Sequence, residues 1–212
     1  MNTIAVIDYG GSNLRSVARA LEAVSNKTDQ IKITDDKKIV RKASKVVFPG
    51  QGAIGNCMNH LNRMELTDVI KDVAANVPFL GICLGLQSLV TRSEEDQGTA
   101  GLDLLSGQVR KFPKKISVAA DGNPMKIPHM GWNTVSWKGS HPLLSQISSN
   151  ARFYFVHSYY VELEDNNLSI GNTDHILSFT SAVATQNIFA TQFHPEKSAQ
   201  DGLTLLRNFL LW

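Results

Sequence analysis

Short apolar runs rich in β-branched residues alternate with helical patterns from the start of the chain to Thr91. Thr3 to Asp8 and Lys45 to Phe48 read as strands, with a weaker one at Ile31 to Thr34 between them. Asn13 to Val24 places Leu14, Val17, Ala18 and Leu21 on one helix face. Ala53 to Met64 does the same with Ile54, Cys57, Met58 and Leu61, and Glu65 to Ala75 with Leu66, Val69, Ile70 and Val73. Phe79 to Cys83 is apolar throughout, and Leu84 to Thr91 opens another helix. Fully apolar strands separated by helices predict a mostly parallel sheet covered on both faces.

After Arg92 the punctuation changes. Gly, Pro, Ser and Asn separate short runs at Gly107 to Phe112, Asn133 to Ser136, Phe153 to Leu163, Leu177 to Thr185 and Ile188 to Phe193, which read as antiparallel hairpins extending the sheet in the C-terminal half. Asp201 to Leu211 closes as a helix through Leu203, Leu205, Leu206, Phe209 and Leu210. With no repeat, low-complexity segment or long linker, the expectation is a single α/β domain over residues 1–212.

Composition narrows the function classes. At 42% hydrophobic and 19% charged residues, the chain falls in the range of ordinary globular domains. Lys plus Arg total 21 against 19 for Asp plus Glu, without blocks of like charge, so neither a nucleic-acid stripe nor a polybasic membrane patch is expected. The most apolar stretch, Val77 to Val90, is interrupted by Pro78, Gly81, Gly85 and Gln87 and is too short to span a bilayer. The opening MNTIAVIDYG has no basic region ahead of an apolar one, so no secretory signal is expected. Two cysteines are too few for a disulfide framework, which makes the cytoplasm the expected compartment and leaves Cys83 free for chemistry.

Gly81-Ile82-Cys83-Leu84-Gly85 is a G-x-C-x-G at a strand-to-helix junction, the cysteine counterpart of a nucleophile elbow. Flanking glycines permit a sharp turn that exposes the sulfur at the carboxyl end of the sheet, where unpaired N–H groups and the helix dipole favour a thiolate. Cys57, on an apolar helix face, reads as core. A nucleophilic cysteine needs a base and an orienting group. In Gln192-Phe193-His194-Pro195-Glu196, His194 would take the proton, while Glu196, pointing to the same side of an extended segment, would fix its tautomer. Gly50-Gln51-Gly52-Ala53-Ile54-Gly55 matches a dinucleotide-binding turn, but the required acid at a following strand end is missing. It reads better as a glycine loop whose N–H groups join that of Leu84 in an oxyanion hole. The six histidines show no metal-ligand spacing, so neither metal nor cofactor is expected. His60 and His141 read as solvated, and His157 as a structural strand histidine.

Together these motifs resemble the class I glutamine amidotransferases, which use a Cys-His-Glu triad. Pro128-His129-Met130-Gly131-Trp132-Asn133 and Phe155-Val156-His157-Ser158-Tyr159 are similar to segments of the glutaminase subunits of imidazole glycerol phosphate synthases. The resemblance implies a flavodoxin-like fold. It also implies hydrolysis of L-glutamine to glutamate and ammonia, and an ammonia channel to a barrel-fold cyclase partner in a heterodimer serving histidine biosynthesis. A related glutaminase feeding another synthase, such as a sugar amidotransferase, is the alternative. Carried over by position, Cys83, His194 and Glu196 are the triad. Gly52 and Leu84 supply oxyanion donors, Gln87, Ser158 and Tyr159 hold glutamine, and Asn13, Trp132 and Lys197 face the partner. Ser12 and Gln51 stand where the family usually has glycine and valine, and since serine tolerates positive φ poorly, a reshaped first loop is expected.

Overall fold

The computed structural model describes residues 2–114 and 125–212. The strands are β1 (Asn2–Ile7), β2 (Asp29–Thr34), β3 (Lys45–Gly50), β4 (Phe79–Cys83), β5 (Val90–Ser93), β6 (Thr99–Ala100), β7 (Leu105–Lys111), β8 (His129–Thr134), β9 (Ser136–Trp137), β10 (Arg152–His157), β11 (Tyr159–Leu163), β12 (Ser169–His175), β13 (Leu177–Ala184) and β14 (Ile188–Thr191). The helices are α1 (Leu14–Val24), α2 (Lys37–Lys42), α3 (Ile54–Arg63), α4 (Thr67–Asn76), α5 (Leu84–Leu89) and α6 (Ala199–Leu211).

The main sheet runs β2-β1-β3-β4-β14-β13-β11-β7-β5-β6, and its first five strands are all parallel. Alternation along each strand feeds two cores. In β1, Ala5 and Ile7 face α3 and α4, while Ile4 and Val6 face α1 and α6. Burial on both faces explains why β4, Phe79–Cys83, has no polar side chain.

The structure departs from the expected elements in three places. Strand β14 was expected in an antiparallel hairpin. It does pair antiparallel with β13, but its other edge runs parallel to β4, because the tight Thr185–Ile188 turn returns the chain beside the parallel strands. The run Phe153 to Leu163 breaks at Ser158 into β10, which pairs with β8 in a separate two-stranded sheet, and β11, which joins the main sheet. Helix α5 stops at Leu89, since the β-branched Val90 and Thr91 continue as β5 against β7.

The parallel strands all deliver their carboxyl ends to one edge. Ile7, Gly50, Cys83 and Thr191 end β1, β3, β4 and β14, with Gly50 in register with Cys83. In parallel α/β sheets this is the edge where ligands bind.

Candidate active site

Cys83 is the hinge between β4 and α5, with no loop residue between them. Its φ of 55° and ψ of −101° lie outside the regions that L-residues favour, a strain on the order of 1–3 kcal/mol that surrounding packing has to hold. The two glycines make the turn possible. A Cβ on Gly85 would lie 1.8 Å from the Phe48 carbonyl oxygen, and one on Gly81 would press on Ala190 at 3.0 Å.

His194 follows β14, and its main chain is fixed from two sides. Its N–H donates to the Tyr154 carbonyl at 2.9 Å, and its carbonyl accepts from the buried Ser198 hydroxyl at 2.6 Å. Nδ1 lies 2.8 Å from Glu196 Oε1, with both side chains essentially inaccessible to solvent. Glu196 gets there differently from the expected extended segment: Pro195–Lys197 forms a single 3-10 turn, which curls the carboxylate back onto the imidazole. Burial alone would lower the His194 pKa, but the Cys83 sulfur and the Glu196 carboxylate outweigh it and raise it to about 10. Nε2 makes no aligned hydrogen bond and is the ring nitrogen left free of the Glu196 contact.

Asn13, expected at a partner surface, donates from Nδ2 to Glu196 Oε1 at 2.6 Å. It occupies the N-cap of α1 in the left-handed region, φ 73°, and its side chain makes no cap bond. The left-handed backbone of the first loop falls on Gly10 and Asn13, while Ser12 keeps a negative φ, as the poor tolerance of serine for positive φ requires.

A cavity of about 360 Å³ opens beside the sulfur. It is lined by Cys83 and by all five residues assigned to glutamine and its oxyanion, Gly52, Leu84, Gln87, Ser158 and Tyr159. The glycine loop follows β3 and has its Gln51 N–H committed to the Tyr9 hydroxyl at 3.0 Å. Glu95 also lines the cavity. Its Oε2 accepts the Ile54 N–H at 3.0 Å, and burial raises its pKa. Neither Glu95 nor Gln192 was singled out from the sequence, since an acid after a short strand and a glutamine before Phe193 carry no local signature.

Trp132 is 44% exposed and Lys197 is exposed. Cys57 is core at 1% exposure. Two histidines differ from expectation: His60 is half-buried beside the Gly10 turn, and His141 is half-buried between Phe189 and Trp212, with Nδ1 capping the Leu143 N–H. Among the described residues no group of three or more His, Cys, Asp or Glu side chains could hold a metal ion, and no helix is long and apolar enough to cross a membrane.

Cys83, His194 and Glu196 come together, buried, at the carboxyl edge of the parallel sheet, and residues 5–212 match the family model described as glutamine amidotransferase class-I. The chain belongs to that family. Among its relatives, the imidazole glycerol phosphate synthase subunit HisH of Aromatoleum aromaticum is 51% identical over 100% of this chain and 99% of that protein. The HisH subunit of Nitrosospira multiformis is 50% identical over 100% and 99%. A crystal structure of a glutamine amidotransferase shares the fold at 14% identity and a TM-score of 0.66, covering 98% of this chain and 97% of the other.

Proposed function

We propose that this single-domain chain is the glutaminase subunit of an imidazole glycerol phosphate synthase and that it hydrolyses glutamine at Cys83. The observation that carries the reading is the meeting, at one sheet edge, of a cysteine on a strained strand-to-helix turn with a buried histidine and carboxylate 2.8 Å apart.

His194 holds the proton that the Cys83 thiol gives up, so the sulfur attacks the side-chain amide carbon of glutamine as the thiolate. The oxyanion of the tetrahedral intermediate is held by the N–H groups of Gly52 and Leu84. As the C–N bond breaks, His194 returns its proton to the leaving nitrogen and ammonia departs, with a γ-glutamyl thioester left on Cys83. Water, deprotonated by His194, then releases glutamate. Glu196 orients the imidazole and Asn13 steadies Glu196. The Nε2 of Gln87 is occupied by Tyr159 and Gln192, so Oε1 is what Gln87 offers the substrate. Together with the Glu95 carboxylate it suits an α-ammonium group, and Ser158 and Tyr159 suit the rest of the amino-acid end.

Free ammonia in neutral water is mostly protonated and not nucleophilic, so the product has to leave into a shielded path. A barrel-fold cyclase subunit capping this sheet edge, in contact with Trp132 and Lys197, would supply it. Histidine biosynthesis in the cytoplasm is the corresponding setting, and a reducing compartment suits a free catalytic thiol.

Glutamate release by the complex tests the reading. Cys83→Ala should abolish it with fold and docking intact, and a glutamine-mimicking electrophile should modify Cys83; modification at Cys57 would overturn the assignment. Trp132→Ala should weaken docking by about 2 kcal/mol if it anchors the interface.

A further inference from the structure

Gln192 is completely buried, immediately after β14 and two residues before His194. A buried amide persists where its polar atoms are paired, and both ends of this one are. Oε1 accepts from Gln87 Nε2 at 3.1 Å, and Nε2 lies 3.5 Å from Cys83 Sγ.

The direction of these bonds is fixed by a group that can only accept. The Tyr159 carbonyl lies 3.1 Å from the Gln87 amide, so the atom facing it must be the Gln87 nitrogen. That nitrogen spends its other hydrogen on Gln192, which must therefore present oxygen to Gln87 and nitrogen to the sulfur. The same carbonyl also accepts from His157 Nδ1 at 2.7 Å, so both its lone pairs are engaged. An NH₂ group can only donate, so the sulfur is the acceptor.

We propose that Gln192 is a further functional group at the reacting sulfur, donating a hydrogen bond that stabilises the Cys83 thiolate and keeps its proton on His194. The inference rests on the reading of Cys83 as nucleophile and adds to it a donor outside the triad and the oxyanion hole. The bond exists before substrate arrives, so the donor acts on formation and nucleophilicity of the thiolate and not on glutamine affinity.

Alkylation of the full chain by iodoacetamide, with peptide mapping of Cys83 and Cys57, tests this without partner or substrate. In the wild type Cys83 should react much faster than Cys57. Gln192→Met keeps length and apolar packing but removes the donor; it should slow Cys83 alkylation at neutral pH on the order of ten- to a hundredfold, the size of one hydrogen bond to a charged group. In the complex, kcat should fall by a similar factor, while any change in KM reads the Gln87 side chain that Gln192 Oε1 holds. Gln192→Glu, which places an acceptor against the sulfur, should be slower still, and thermal unfolding midpoints identify any variant whose loss reflects unfolding. A folded Gln192→Met chain that alkylates at the wild-type rate would overturn the role of Gln192 while leaving the triad standing. A wild-type Cys83 no more reactive than Cys57 would overturn the nucleophile reading together with it.

Discussion

His194 and His157 are both buried at strand ends near the same sulfur, and their pKa values move in opposite directions. His194, beside the Cys83 sulfur and the Glu196 carboxylate, is raised to about 10 in spite of burial. His157 is pushed down to about 3 mainly by burial, which outweighs its hydrogen bond to the Tyr159 carbonyl, with His175 and His194 adding smaller lowering effects. Its Nδ1 donates to that carbonyl, so its Nε2 has to accept, and the group 3.0 Å away is His129 Nδ1. His129 stacks on His175 with ring centroids 4.1 Å apart and takes a bond from Asn133 at 3.2 Å. One site sets the imidazole against a carboxylate and a cysteine sulfur; the other sets it against a backbone carbonyl and more imidazoles. Both are nearly inaccessible to solvent, so the partners decide whether a buried histidine works as a proton carrier or as a neutral strut.

Replacing the charged partners gives the largest effects. Cys83→Ala and His194→Ala should each reduce glutamine hydrolysis at least about a thousandfold in a glutamate-release assay, because members of such an array act as a unit. Glu196→Gln leaves the imidazole in place with a neutral partner, and its loss should be smaller than that of Cys83→Ala by roughly a hundredfold; equal losses would mean that the carboxylate does more than orient.

The neutral site is probed by stability. With a folded pKa near 3 against an ordinary 6.5, His157 binds its proton more readily in the unfolded chain, so its contribution is complete above about pH 6.5 and is lost as pH falls toward 3. His194 runs the other way: its contribution is complete below about pH 6.5 and is lost as pH rises through about 10. His157→Gln, which keeps a donor for the Tyr159 carbonyl but cannot titrate, should flatten the acid limb of a denaturant-measured stability profile by up to about 1.4 kcal/mol per pH unit. Smallest is Asn13→Ala, which removes one of the two bonds to Glu196 Oε1 and should cost about tenfold in kcat, the low end for a hydrogen bond to a charged group.

The parallel half of the fold and the Cys83 elbow are legible in the sequence because their signals are local: unbroken apolar strands, helix-period faces, and glycine on both sides of a cysteine. The partners of His157 are not. His129 meets it only through the β8–β10 register, in a separate two-stranded sheet that brings together two histidines 28 residues apart. Strand β12, SIGNTDH, escapes because Gly, Asn and Asp disfavour strands, and it is held by pairing with β13 and β9 on either side. Asn13 looks like a surface residue until its left-handed backbone turns the amide onto a carboxylate far along the chain.

The contrast between the two imidazoles is read most directly by ¹⁵N NMR titration of the histidine-labelled chain. His194 should stay doubly protonated through neutral pH and lose its proton near pH 10, and this titration should collapse to lower pH in Cys83→Ala; His157 should remain neutral with its proton on Nδ1 until the pH approaches 3. A neutral His194 at pH 7, or a His157 that titrates near 6.5, would contradict the account.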